Sequence, residues 1–126
     1  MLNLVYLAII LLFIDVIFLY SISGLTSSIV KNIQGGRNMQ FNLVAAIMCY
    51  AVIVAALWYF IIEQNKSPLE AALLGLSIYA VFELTNKAIF KDWSWLMVAI
   101  DTTWGGILFA LVTWFYQNPI FFFSLP

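Results

Sequence analysis

Four long apolar segments constrain this chain more than any other feature of its sequence. Each has about the 20 residues that a helix needs to cross a bilayer, and none alternates in polarity as the shorter strands of a membrane barrel do. They cover residues 2–22, 41–62, 68–90 and 94–116. Because only helices and closed barrels satisfy their backbone hydrogen bonds in lipid, the pattern predicts an all-α fold, a bundle of four transmembrane helices.

The composition agrees with a membrane protein. Hydrophobic residues make up 65% of the 126 residues and charged residues 9%, well below the roughly 25% that is usual in a soluble domain. We therefore expect one integral membrane domain over residues 1–126, with the lipid bilayer as its partner. The first segment has no basic residue before its apolar run and contains Asp15, so we interpret it as a retained span and not as a cleaved signal peptide.

The charges and the cysteine count exclude several other functions. The net charge is −1 and there is no basic run, so nothing indicates nucleic-acid binding. With no histidine and one cysteine, Cys49, the chain lacks the residues for a structural zinc site, an internal disulfide or histidine-based catalysis. We predict no cofactor and no catalytic residues, and the sequence leaves open whether a metal ion binds.

The connectors between the four segments are mostly short. The longest, residues 23–40, carries apolar residues at helical spacing, which predicts an interfacial helix at 25–34. The connectors 63–67 and 91–93 are long enough only for tight turns. The C-terminal residues 118–126 are apolar and aromatic, and we expect them to lie in the membrane interface.

The distribution of lysine and arginine predicts the orientation. Four basic residues lie on the side of the loops 23–40 and 91–93, and only Lys66 lies on the other side. The four are Lys31, Arg37, Lys87 and Lys91. Because cytoplasmic loops are enriched in Lys and Arg, we predict that both loops are cytoplasmic and that both termini are outside. Trp93 and Trp95 are predicted to anchor the chain in the cytoplasmic interface.

Three carboxylates lie inside the apolar segments at matching depths. Asp15, Glu83 and Asp101 are each seven residues from the cytoplasmic end of their predicted span, which is roughly 10 Å along a helix. A charged residue at this position costs about 2.5–3.5 kcal/mol on insertion scales. We therefore expect the three side chains to face the interior of the bundle, where they are candidates for binding an ion or ligand or for exchanging protons.

Several polar residues can support this acidic layer. Glu83, Asn86 and Lys87 share a helix face, so Lys87 is expected either to reach back to Glu83 or to extend to the interface. Trp104 shares a face with Asp101, and its indole N–H can donate to a carboxylate. The complete set of supporting residues is Tyr50, Tyr79, Thr85, Asn86, Lys87 and Trp104.

The third and fourth segments carry motifs of a known family. The stretches "YAVFELTNKAIFKDW" and "AIDTTWGG" resemble an uncharacterised family, a domain of unknown function, of small four-helix membrane proteins of bacteria and large DNA viruses. Its hallmarks are Tyr-x-x-Tyr-Asp-Leu-Thr-Asn and Asp-x-x-Trp-Gly, with an Asp in the first span and an Asn-x-x-Ala-Ala…Tyr pattern in the second. Here they read Tyr79-x-x-Phe82-Glu83-Leu84-Thr85-Asn86, Asp101-x-x-Trp104-Gly105, Asp15 and Asn42-x-x-Ala45-Ala46…Tyr50.

This resemblance implies the same fold and the same polar layer, but the family has no established activity. Two positions depart from its pattern, because Phe82 and Glu83 stand where the family has Tyr and Asp. The carboxylate is kept with one more methylene group, and one hydroxyl is lost. The resemblance therefore supports a site at these residues without naming a function.

Three functions are compatible with such a layer. The first is a small transporter or channel for protons or cations, which would require a homo-oligomer formed through small-residue helix faces, since four short helices enclose a pore poorly. The alternative is a non-catalytic membrane scaffold or assembly protein whose polar layer is structural. An enzyme that modifies lipids is the third, and the lack of histidine and of a recognisable nucleophile disfavours it. We therefore predict no enzymatic activity.

Overall fold

Five helices follow one another in the computed structural model, which describes residues 2–37 and 40–119. They are α1 (Leu2–Ser21), α2 (Ser23–Ile33), α3 (Leu43–Leu57, continued by a π-helical turn at Trp58–Ile62), α4 (Pro68–Ile89) and α5 (Trp95–Gln117). These described residues contain no β-strand, so the prediction of an all-α fold is confirmed. Most of the tail expected in the interface, residues 118–126, lies outside the described residues.

Four of the helices are long and apolar enough to cross a membrane: α1, α3 with its π turn, α4 and α5. The chain is therefore an integral, multi-pass membrane protein with the fold of a four-helix bundle. The fifth helix, α2, is short and lies where the sequence predicts an interfacial helix. We call the end of the bundle that carries α2 and the turn at residues 90–94 the α2 end.

Side-chain caps fix where three of the helices begin. Ser67 accepts a hydrogen bond from the Glu70 backbone N–H at 3.2 Å, and the Glu70 side chain accepts one from the Ser67 N–H at 2.9 Å. This capping box, with Pro68 as the first helical residue, starts α4. Ser94 and Asn42 cap α5 and α3 in the same way, by accepting from the backbone N–H three residues later.

Helices α4 and α5 form the closest pair in the bundle. Gly75 of α4 faces the backbone carbonyl of Gly105 on α5 so closely that a Cβ added at Gly75 would collide with the carbonyl oxygen. A Cβ at Gly106 would lie 2.8 Å from the Leu76 side chain. The small residues therefore bring the two backbones together, which fixes the depth of α4 residues relative to α5 residues.

The core of the bundle is formed by apolar side chains from all four long helices. Its fully buried members include Leu7, Leu11, Leu57, Leu108 and Phe109. A second, smaller core lies at the α2 end, where Ile29 of α2 packs with Trp93 and Met97. Helix α2 therefore does not only lie against the membrane surface, because it also covers the end of the bundle.

The π turn gives the last residues of the second span a contact that a regular α-helix does not make. Trp58 donates from its indole nitrogen to Glu63, five residues later, at 3.0 Å. Residues five apart lie on nearly the same face only where the helix is wound more widely than an α-helix. At the same end of the bundle, Gln117 donates to the Lys66 carbonyl at 2.7 Å and joins the end of α5 to the turn before α4.

Candidate functional site

The three intramembrane carboxylates lie at one depth in the bundle. Asp15 is six residues before the end of α1, Glu83 is six before the end of α4, and Asp101 is six after the start of α5. Each is therefore about 9 Å along its helix from the α2 end. All three are buried, with relative exposures of 4%, 0% and 8% respectively. We call this set of three side chains the acidic layer.

Asp15 is held by donors from two other helices. Tyr50 of α3 donates its hydroxyl to one carboxylate oxygen, and Trp104 of α5 donates its indole N–H to the other at 2.8 Å. The Trp104 ring is itself fixed, because it stacks on Phe18 with 4.4 Å between the ring centres. Both oxygens of Asp15 therefore have a partner, and this carboxylate joins α1, α3 and α5.

Glu83 and Asp101 form a pair of carboxyl groups. Both side chains are buried, at the same depth on α4 and α5, the two helices in closest contact. The oxygen Oε1 of Glu83 is buried and receives no hydrogen bond from an N–H or hydroxyl group of the described residues. Glu83 therefore keeps one buried oxygen without a donor, on the helix next to the one that carries Asp101.

Trp93 supplies the other contact of Glu83, which the sequence did not predict. Its indole N–H donates to Glu83 Oε2 at 2.6 Å, and its side chain is only 8% exposed. The prediction that Trp93 anchors the chain in the interface is therefore wrong. No sequence signal locates this contact, because a tryptophan in a turn ten residues after Glu83 can point to lipid as well as back to the carboxyl group.

Lys87 does not join the acidic layer. Its ammonium group donates to the Lys91 carbonyl at 3.3 Å and lies 5.5 Å from the centre of the Trp95 ring. Of the two positions expected for it, the structure shows the one directed toward the end of the helix. A cation placed there does not neutralise Glu83.

The remaining predicted residues differ in their positions. Tyr79 is half-buried, and its ring lies against Gly105 of α5. Asn86 is half-buried, and Thr85 is exposed on the outer face of α4. The structure therefore brings Tyr50 and Trp104 to the layer, places Tyr79 one helical turn before Glu83, and leaves Thr85 outside the layer.

The layer has no basic partner and no arrangement of metal ligands among the described residues. In residues 2–37 and 40–119, the ion pair that forms is Lys66–Glu70, with 3.8 Å between nitrogen and oxygen, in the first turn of α4 and remote from the layer. No three Asp, Glu, His or Cys side chains in those ranges are placed to hold a metal ion. Buried carboxyl groups without a cation or a metal site beside them offer acid–base chemistry.

Comparison with known proteins supports the family suggested by the motifs. Residues 1–117 match the profile of the family described as "Predicted membrane protein (DUF2177)". The chain belongs to this family. The resemblance of the span-three and span-four motifs to a domain of unknown function is thereby confirmed, and the DUF2177 family description adds no activity. No curated protein and no solved structure matches the chain significantly.

Proposed function

We propose that this protein exchanges protons across the membrane, as a small proton-conducting or proton-coupled transport protein. The observation that carries the proposal is the Glu83–Asp101 pair, two buried carboxyl groups at one depth on adjacent helices. Among the described residues no cation pairs with them, and one Glu83 oxygen has no donor. A charged carboxylate is costly in such a setting, and binding a proton removes that charge. Intramembrane acids of this kind commonly mark proton pathways.

A proton fits this site better than a larger cation. Glu83 and Asp101 are buried at one depth on adjacent helices, and a proton bound by either group would need no further ligand. A metal ion would need further oxygen ligands, and both oxygens of Asp15 already accept hydrogen bonds from Tyr50 and Trp104. The pair therefore supports proton exchange as the primary event, with any second substrate bound elsewhere.

The orientation and the oligomeric state are part of the proposal. The loops 23–40 and 91–93 lie in the cytoplasm and both termini outside, as the lysine and arginine distribution indicates. The small residues of α4 and α5 already pack against each other within one chain. A homo-oligomer would therefore use another small-residue face, and α3 offers one at Ala45, Cys49 and Val52, which are exposed.

The alternative, a structural role for the layer, is favoured by Asp15. Its two oxygens both accept hydrogen bonds, one from α3 and one from α5, which is what a residue that joins helices would show. Under this reading the protein is a membrane scaffold whose polar layer stabilises the bundle. The two functions differ in what they require of the Glu83–Asp101 pair.

Proton flux into liposomes with the full chain reconstituted separates them. Glu83→Gln and Asp101→Asn remove the exchangeable proton and keep a hydrogen-bonding side chain of nearly the same shape, so the bundle should still fold. We expect both variants to lower the flux, measured with an internal pH-sensitive dye, to that of protein-free vesicles.

The matched controls are Glu63→Gln and Asp92→Asn, which make the same changes at exposed acids near the ends of the helices. Both should conduct as the wild type does. Wild-type flux from both layer variants would contradict proton exchange. If the variants instead unfold at clearly lower temperature and flux is absent in all proteins, the structural role is the correct one.

A further inference from the structure

Three side chains lie one outside another at the α2 end of the Glu83–Asp101 pair. Glu83 is deepest, the Trp93 indole lies on it with the 2.6 Å hydrogen bond, and Ile29 of α2 packs on Trp93 from the outside. Met97 of α5 completes the cluster, and all three apolar side chains are less than a tenth exposed. Trp93 therefore separates Glu83 from the surface, and α2 holds Trp93 in place.

Helix α2 is built to cover this end. Its apolar residues Leu25, Ile29 and Ile33 recur every four positions and face the bundle, whereas Ser27, Ser28 and Lys31 are exposed. The residues after it, Gly35 and Gly36, have φ of +66° and +92°, conformations that glycine adopts at low cost. The helix is thus an amphipathic element that follows α1 after a single residue, ends at a glycine turn and is held to the bundle by a small cluster of side chains.

We propose that Trp93, positioned by α2, is the gate between the Glu83–Asp101 pair and the aqueous phase at the α2 end. The inference rests on the proton exchange proposed above and adds the route by which the proton leaves. With Trp93 bonded to Glu83, the pair is closed at this end. Displacement of α2 frees the indole, breaks its bond to Glu83 and opens the carboxyl to water.

A single hydrogen bond between Trp93 and Glu83 keeps the gate closed. Among the described residues, Trp93 donates to Oε2 of Glu83, and Oε1 of Glu83 receives no hydrogen bond. A phenylalanine in place of Trp93 would retain most of the apolar contact with Ile29 and Met97 but could not donate to the carboxylate. Trp93→Phe therefore opens the gate by removing its hydrogen bond to Glu83. Ile29→Ala opens it by weakening the packing of α2 on Trp93.

Chemical access to Glu83 tests this gate without relying on flux. The full-length protein is reconstituted in lipid nanodiscs and treated with a water-soluble carbodiimide or with a lipid-soluble one. Modification of Glu83 is then followed with time by peptide mass spectrometry. We expect Trp93→Phe and Ile29→Ala to raise the rate with the water-soluble reagent roughly tenfold, the factor set by loss of one good hydrogen bond.

Two matched controls make the same changes at exposed positions of the same end. Trp95→Phe and Ile89→Ala should leave the rate at the wild-type value, since both side chains are about two-thirds exposed, at 66% and 68%. The lipid-soluble reagent reports on folding, because an unfolded variant would react faster with both reagents. A selective rise with the water-soluble reagent supports the gate.

Unchanged water-soluble labelling in both Trp93→Phe and Ile29→Ala would overturn the gate. The same variants are assayed for proton flux in liposomes to keep the two proposals apart. If labelling rises as expected but Glu83→Gln conducts like the wild type, the proposal that Trp93 and α2 shield Glu83 from water is supported and the proton-exchange function is contradicted. If Glu83→Gln loses flux but the labelling rates do not change, the function stands and the proton leaves by another route.

Discussion

At the scale of single residues, the three acids and two of their three hydrogen-bond donors could be predicted. Asp15, Glu83 and Asp101 stand out in the sequence because a carboxylate within an apolar segment is costly and therefore rare. Tyr50 follows from the same depth count, and Trp104 from the face that it shares with Asp101. Trp93 does not, because its position in a turn says nothing of whether the indole points outward to lipid or back along α4 to Glu83.

The donors to Asp15 should contribute measurably to stability. Tyr50→Phe removes the hydroxyl that bonds the Asp15 carboxylate and leaves a buried oxygen with no donor from α3. We expect the free energy of unfolding to fall by roughly 1–2 kcal/mol, measured by chemical denaturation in detergent. Tyr59→Phe, at a residue that is 57% exposed, is the control and should change it by less than about 0.5 kcal/mol. Equal losses in the two variants would mean that the hydrogen bond to Asp15 contributes nothing.

At the scale of helices, most boundaries could be predicted because the signals are local. Ser67 and Pro68 start α4, and Ser94 starts α5, each within a residue of the predicted span. The interfacial helix was expected at 25–34 and runs from Ser23 to Ile33. What the sequence could not show is what the apolar face of α2 covers, since amphipathic spacing fits a membrane surface and a bundle end equally well.

The contact between α4 and α5 should be sensitive to single methyl groups. Gly75→Ala places a Cβ against the Gly105 carbonyl, a backbone atom that cannot turn aside, so the two helices must separate. We expect a loss of roughly 1–3 kcal/mol in the free energy of unfolding, together with a wider separation of the helices that carry Glu83 and Asp101. The measurement is again unfolding in detergent, read beside the proton flux.

Gly24→Ala serves as the control for this change. A Cβ at Gly24 meets no atom within 4 Å, so the variant should be neutral or up to about 1 kcal/mol more stable through its better helix propensity. Wild-type stability in Gly75→Ala would show that α4 and α5 are not pressed together at this point.

At the scale of the whole molecule, the sequence predicted the number of spans but not which helices are neighbours. Apolar length is a property of each segment alone, whereas the close pairing of α4 with α5, and the contact of α1 with α5, depend on how side chains fit. The matching depths of the acids could be counted because the connectors at residues 63–67 and 91–93, at opposite ends of the bundle, are short and show where the spans begin and end. The burial of Glu83 and Asp101 on adjacent helices could not be counted, because depth does not determine which faces meet.

The proposed orientation can be tested with single cysteines in a Cys49→Ser background. Ser28→Cys lies on the exposed face of α2, and Gln64→Cys lies in the turn before α4, at the opposite end. A membrane-impermeant maleimide added to intact cells should label Gln64→Cys and leave Ser28→Cys unlabelled until the membrane is permeabilised. Labelling of Ser28→Cys in intact cells would place α2 outside and reverse the orientation.

The acidic layer lies nearer to one side of the bilayer, and this has an electrical consequence. Six residues of the 20 in α1 separate Asp15 from the α2 end, about three-tenths of the helix. A proton arriving from that end crosses roughly three-tenths of the membrane potential, and one from the other end crosses the remaining seven-tenths. At 100 mV these steps are worth about 0.7 and 1.6 kcal/mol. If the pair exchanges protons as proposed, its occupancy responds to voltage as well as to proton concentration, and more strongly for protons entering on the side away from α2.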